Sequence, residues 1–374
     1  MNDADVRGYA AARQALAGPD LGRAALRTGG GADEHVLNME GEDHARHRRA
    51  VDAALDTAVS ARLPGIVRLI GHVVDDLPAG EPVDAAERLA YPVAIGVVDL
   101  VVGLGGEYAY WAAVARAIDT DQAGLHSGLH SVLDDALHRL AAGTPPPGTV
   151  AAELARAPAG ENPLSRSEVA ANLLFAASAG FTNLANAIGG AVRALGRDPD
   201  AYAWLAADPA ARLACATDEL LRYAEPAERS STRRAAQDTV VGGDVIAAGR
   251  TVRIWKAAAN RDPARYAYPE RLDLGRTPNP HLSFGYGRHY CPAAQLSRLV
   301  LDRVLLGLTR RFAAIEPIGP EGTAGPQGTA GPEETAGPEG TAGPGETSES
   351  GRVWDSYHGS PLMLRFIAKA TQQL

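Results

Sequence analysis

The chain is poor in cysteine. Cys215 and Cys291 are the only two in 374 residues, which excludes a disulfide-held scaffold and points to a reducing compartment, the cytoplasm. Long apolar runs are also missing. The longest, Tyr91 to Gly105, contains Asp99 and falls short of the ~20 residues that a bilayer-crossing helix requires. No secretory signal opens the chain, so no membrane partner is expected. Positive charge is not in excess either: the formal net charge is −9, which gives no support to nucleic-acid binding. Six glutamates behind that charge lie between Gly319 and Ser350, a segment without Lys, Arg or Asp in which GPEGTA-type units recur at a period of six. With almost nothing apolar to bury, residues 319–350 are expected to form a disordered surface insertion. Glycine does not recur at every third position, which excludes collagen; a tether for a partner is the second reading of that composition.

What is present is enough apolar sequence, 45% of the chain, to bury a large core. Length alone suggests two or three domains. Cys215, inside the apolar run ARLACATDELL, reads as core. The organising stretch is His281 to Arg298, HLSFGYGRHYCPAAQLSR. Gly285 and Gly287 permit tight or left-handed backbone, and Pro292 suits the first turn of a helix. Cys291 is therefore expected at a helix start, where unpaired N–H groups and the macrodipole favour a thiolate. A thiolate suits a soft metal, and iron in a haem is the candidate, because such a ligand pushes electron density into the metal and favours O–O cleavage. A buried structural cysteine in a loop-to-helix turn is the plain alternative.

Other constellations stand along the chain. His44 and Arg48, four apart in GEDHARHRRAV, share one helix face and can reach an anion together, or belong to a solvated basic face with Arg46, His47 and Arg49. AERLAYPVAIGVVDLVVGL reads as a buried helix broken near Pro92. LSRSEVAANLLFAASAGFTNLANAIGGAVRAL reads as one long apolar helix capped by Ser165 or Ser167. Glu219 and Arg222, three apart in DELLRY, can pair on a helix. GGDVIAAGRTVRIWK reads as two short strands and a turn, LSRLVLDRVLLGLTRRF as an amphipathic helix, and RVWDSYHGSPLMLRFIA as a closing hairpin.

Phe284, Gly287, His289 and Cys291 resemble the haem-binding loop of cytochromes P450, with Ala293 where that family usually has glycine. The resemblance begins at about Val6 and implies a mainly α fold, triangular and helical with a small β region. It implies a single domain over residues 1–374, short at its N-terminus, with F and G helices ending near Ala142. The cofactor implied is haem b, with Cys291 on the metal and His44, Arg48, Arg233, Phe284, Gly285 and His289 around it. Counting back from Gly242-Gly243 selects Arg233 for the propionates, with Arg234 one position away. Glu219 and Arg222 resemble the family's ExxR pair, with Arg271 as third member. In the long helix Ala179 and Gly180 match the family's oxygen-side kink, but Thr182 replaces its acid and Asn183 its alcohol. Gly180, Thr182 and Asn183 are accordingly the catalytic candidates, and proton delivery falls to Thr182, ordered water or the substrate; a structural role for Asn183 in a kinked backbone is the alternative.

The function implied is a monooxygenase oxidising a small organic substrate, as in secondary-metabolite tailoring. Its electrons would come from a ferredoxin-type donor with its reductase, docking near Cys291 with Arg46 or Arg49 offered to its acidic face. The missing acid–alcohol pair leaves two alternatives open. One is a peroxide-driven or radical-coupling enzyme; the other is a non-catalytic haem-binding partner protein. Substrate contacts are expected from residues 25–41 and 111–131, the Ser230 segment and the tip around His358 to Leu362.

Overall fold

The computed structural model describes residues 3–23, 34–103, 145–156, 164–224, 231–319 and 362–370. The F and G region, the segment 111–131, Ser230, His358 and the repeat lie outside them. The first elements are β1 (Ala4–Val6), α1 (Tyr9–Ala17), β2 (Leu21–Gly22), α2 (Gly41–Asp75), β3 (Pro82–Asp84) and α3 (Tyr91–Val102). Next come α4 (Val150–Arg156), α5 (Arg166–Arg197), α6 (Pro199–Ala207) and α7 (Pro209–Ala224). A run of short pieces follows: β4 (Ser231–Ala235), β5 (Thr239–Val241), β6 (Asp244–Ile246), β7 (Thr251–Ile254) and α8 (Lys256–Ala259). The last are α9 (Ala294–Arg311), β8 (Phe312–Pro317) and β9 (Met363–Ala368).

Local chemistry explains the main boundaries. Helix α5 starts with a capping box: Ser165 Oγ accepts the Glu168 N–H at 3.2 Å, and the Glu168 carboxylate accepts the Ser165 N–H at 2.7 Å. Each satisfies a donor the helix cannot. Asp198 caps α6, and prolines open both α6 and α7, where no N–H is needed. The run around Pro92 is not broken as expected. A wide, five-residue turn at Ala86–Ala90 leads directly into α3, which takes Pro92 into its first turn and ends at left-handed Gly103.

Helices α2, α3, α5, α7 and α9 pack around one core, with Ile66, Leu89, Leu173, Ile188, Leu301 and Leu305 fully buried. A smaller core, including Tyr9, Leu16, Val252 and Leu282, lies under the first sheet. That sheet has the order β1-β7-β4-β2, with β1 parallel to β7 and the other pairs antiparallel. β5 and β6 form a separate hairpin. Of the expected closing hairpin only Leu362 to Ala368 lies among the described residues, and it supplies the middle strand of a three-stranded arrangement, β3-β9-β8. Strand β9 pairs with β8 on one side and with β3 on the other. Burial of Leu364 and Phe366 on one face fixes that register. No helix among the described residues is long and apolar enough to cross a membrane.

Candidate active site

The loop that ends at Cys291 is closed by its own backbone. Gly285 N–H bonds the Leu282 carbonyl (2.8 Å), Tyr290 N–H that of Gly287 (3.0 Å) and Cys291 N–H that of Phe284 (2.9 Å). Gly285 and Gly287 have φ of 74° and 76°, a region side chains rarely adopt. At Gly287 a Cβ would also lie 3.0 Å from Ala17 Cα. Helix α9 begins at Ala294, so Cys291 lies just ahead of it rather than in its first turn. Burial pushes the Cys291 thiol up, outweighing the Ala293 N–H and the cations Lys256, Arg48 and Arg298 that pull it down. The helix-start groups expected to favour a thiolate are thus outweighed by burial. A coordinated metal would supply what is missing, because a metal-bound thiol is deprotonated outright.

The loop is anchored from beneath. Asn260 accepts the Leu282 N–H through Oδ1 at 2.7 Å and donates through Nδ2 to Ser283 Oγ at 2.9 Å. Ser283 Oγ in turn donates to the Leu221 carbonyl at 2.9 Å. Glu219 and Arg222, both 0% exposed, form a bidentate pair at 2.7 and 2.8 Å. Arg222 also donates to the carbonyls of Asn260 and Pro269, each at 2.9 Å. The third member is not Arg271, whose exposed side chain leaves only its carbonyl in the network. Arg276 occupies that role, with Nε 3.0 Å from Glu219 Oε2, and Asn279 Nδ2 donates to the same oxygen at 3.0 Å. The chain turns back at Tyr268 (φ 48°), and it is the later arginine that reaches inward.

A second cluster gathers at the other edge of the same cavity. Glu40, ahead of α2, accepts the Arg23 N–H (2.8 Å), Arg288 Nε (2.8 Å) and the ring of His289 (3.2 Å). Burial would raise its carboxyl, but the bonds from His289 and Arg23 hold it down at about 2. Gly22 leaves room for it, since a Cβ there would fall 2.9 Å from the carboxylate and push it aside. His44 is buried with Nε2 unbonded, its ring edge-on to that of His289 at 4.4 Å. Burial, then the charge of His289, lowers it to about 4. Arg233 is buried with Nε unbonded and Nη1 on the Thr232 carbonyl at 3.0 Å. Arg234 is exposed and bonds Gly249, so of the two arginines it is Arg233 that lines the cavity. Arg48 lines the cavity too, but its Nε grips Asp52 and its Nη1 the Tyr290 carbonyl at 2.5 Å.

Arg23, His44, Arg48, Arg233 and His289 line a cavity of about 390 Å³ together with Phe284, Gly285, Cys291 and Ala293, while Glu40 stands behind them. Ala293 has φ −88°, so its methyl group costs no backbone strain. The opposite wall is α5, which presents Ala179, Gly180 and Asn183, with Val97, Val98 and Val101 of α3 beside it. Thr182 is not on that wall. Its hydroxyl is buried without a bonding partner, because the next helical position, Asn183, takes the inward direction. Among the described residues no carboxylate lines the cavity. The basic face expected beside His44 is partly internal: Arg46 bonds Glu168 at 2.5 and 3.0 Å, and His47 is fully buried against Glu168 and Asn172. Arg46 is thus committed to the α2–α5 contact and does not face a donor.

Residues 213–320 match the family profile described as Cytochrome P450. Two hydroxylases are each 30% identical to the chain. Vitamin D(3) 25-hydroxylase of Pseudonocardia autotrophica aligns over 73% of this chain and 68% of its own length. 6-Deoxyerythronolide B hydroxylase of Saccharopolyspora erythraea aligns over 73% and 69%. The chain belongs to the cytochrome P450 family. The solved structure of the tirandamycin C-bound P450 monooxygenase TamI superposes with a TM-score of 0.75 at 27% identity, covering 84% of each chain. The protein is thus a P450 monooxygenase of mainly helical fold with a small β region, and its cofactor is haem b. The residues present fit that group. His44 and Arg233 both line the cavity, and each has a buried nitrogen without a bonding partner, Nε2 and Nε; a guanidinium beside an imidazole that can present an N–H suits an anion, as the carboxylates of a porphyrin provide.

Sequence reasoning missed Glu40, Arg23, Arg276, Asn279 and Lys256. Only Lys256 carried a visible signal, a charge set between the apolar pair Ile254-Trp255 and three alanines.

Proposed function

We propose that this P450, as a single catalytic domain, oxidises a small, largely apolar organic molecule in the tailoring of a secondary metabolite. The reading rests on one observation: the Cys291 sulfur and two buried, unbonded nitrogens share one cavity whose far wall is the Gly180 segment. Haem held there would supply an iron centre that activates dioxygen when reduced. Cys291 would ligate the iron, with Phe284 and Gly285 lining the cavity beside it. His44, Arg233 and His289 would hold its carboxylates, with Arg48 fixing the Tyr290 carbonyl next to Cys291. Asn183 orients water or substrate on the opposite side, and the α3 valines exclude bulk water. Electrons come from a ferredoxin-type donor with its reductase in the reducing cytoplasm that suits two free cysteines. The names of the relatives, hydroxylases of vitamin D(3) and of 6-deoxyerythronolide B, support a natural-product substrate.

The reduced, carbon-monoxide-treated protein tests this reading. A thiolate-ligated spectrum that disappears in Cys291→Ala is expected. A spectrum of neutral-thiol or histidine ligation, or one unchanged in the variant, refutes it. The absence of a carboxylate on the described cavity wall favours a second reading, use of peroxide without a proton relay. Turnover with hydrogen peroxide alone, and none with NADPH, ferredoxin and reductase, would select it.

A further inference from the structure

Lys256 is the one lysine lining the cavity among the described residues, and only 7% of it is exposed. Burying a cation is costly unless it is hydrogen-bonded and charge-compensated. Its backbone is well fixed: Trp255 N–H bonds the Val6 carbonyl at 2.8 Å, and Lys256 opens the short helix α8 that leads to Asn260. Its Nζ donates to the Ser283 carbonyl at 3.2 Å. Ser283 precedes Phe284, whose carbonyl receives the Cys291 N–H. The ammonium group is therefore one residue removed from the loop that presents the sulfur, on the same wall of the cavity. Arg48 and Arg298, the other cations near that sulfur, are bound to Asp52 and Asp218.

We propose that Lys256 is a positioning residue for the electron chemistry of the site: it holds the Ser283 carbonyl beneath the cysteine loop, and its charge biases the metal centre toward the reduced state. The inference rests on the haem-thiolate reading above. A fixed positive charge beside a centre that gains an electron stabilises the product of that step, and the low local dielectric magnifies the effect. It also draws density back from the thiolate, which acts in the same direction.

The test is a spectroelectrochemical titration of haem-loaded wild type, Lys256→Gln, Lys256→Met and Lys256→Arg. Gln keeps a donor for Ser283 and removes the charge; Met removes both. Both should lower the equilibrium constant for reduction about tenfold, a potential about 59 mV more negative for one electron. Lys256→Arg should stay within about twofold of wild type. An unmoved potential in Lys256→Gln overturns the proposal, as does a shift confined to Lys256→Met, which would make the residue a tether. Loss of haem from both charge-removing variants overturns it too, by assigning Lys256 to the scaffold; if only Lys256→Met fails to load, Lys256→Gln decides. Carbon-monoxide spectra separate the two levels of the argument. No thiolate signature in wild type sinks the parent reading, whereas intact signatures with unmoved potentials sink this one alone.

Discussion

Glu219→Ala removes the acceptor of five hydrogen bonds, from Arg222 Nε and Nη2, Arg276 Nε, Asn279 Nδ2 and the Asp273 N–H. It leaves the guanidinium of Arg222 fully buried without its counter-charge. Truncating one partner of a buried ion pair costs about 3–5 kcal/mol. Unfolding entropy near 2.1 cal/mol/K per residue gives the 374-residue chain about 0.8 kcal/mol/K, so the melting temperature should fall by about 4–6 °C. Thermal unfolding followed by far-UV circular dichroism measures it, with two arginine variants as internal controls. Arg276→Ala loses the charged hydrogen bond to Glu219 together with weaker, exposed ones to the carbonyls of Ala267, Tyr268 and Arg271; the first is worth about 1.5–3 kcal/mol, or roughly 2–4 °C. Arg271→Ala removes only an exposed side chain and should stay within about 0.5 kcal/mol of wild type. If Arg271→Ala costs as much as Arg276→Ala, or Glu219→Ala costs under about 1 kcal/mol, the network drawn here is wrong.

Arg233→Leu and His44→Leu should each speed haem loss to a scavenger protein about tenfold or more, the equivalent of one hydrogen bond to a charged group. Neither should destabilise the cofactor-free protein by more than about 1 kcal/mol, because each removes a buried nitrogen without a partner and Arg233 otherwise bonds only the neighbouring Thr232 carbonyl; a larger loss in the cofactor-free variants would contradict the fit. Asn183→Ala should lower product formed per NADPH consumed about tenfold, while Thr182→Val, off the cavity wall, should leave that ratio unchanged; the reverse order would return the catalytic role to Thr182. Glu168 is held at about 2, first by Arg46. A depressed carboxyl adds stability that is complete above about pH 4.5 and lost as pH falls toward 2. Glu168→Gln should therefore flatten acid unfolding across that window, and an unchanged slope would show that the α2–α5 contact does not depend on this charge.

The cysteine loop was legible because everything that shapes it is local: two glycines, a proline and a cysteine within eight residues decide its path. The capping box at Ser165 and the long α5 were legible for the same reason. Partners that meet only through tertiary folding were not. Glu40 and His289 touch across 249 residues of chain, and no spacing rule connects them. Arg271 and Arg276 look alike in sequence, and only the turn at Tyr268 decides which one reaches Glu219. Thr182 and Asn183 differ by one helical position, about 100° of rotation, which the apolar pattern of α5 could not assign. Strand β9 showed its period of two in MLRFIA, but its neighbours β3 and β8 come from opposite ends of the chain.

Strand β1 lies at the edge of its sheet, laid alongside β7 two residues before Lys256. A few positions later Tyr9 lends its N–H to Asp262 and its hydroxyl to the Pro280 carbonyl, just upstream of the haem loop. The opening residues thus work as a clasp over the floor of the site. Trimming or fusing at that end would be felt as a slackened cofactor seat, long before any change in helical content gave notice of it.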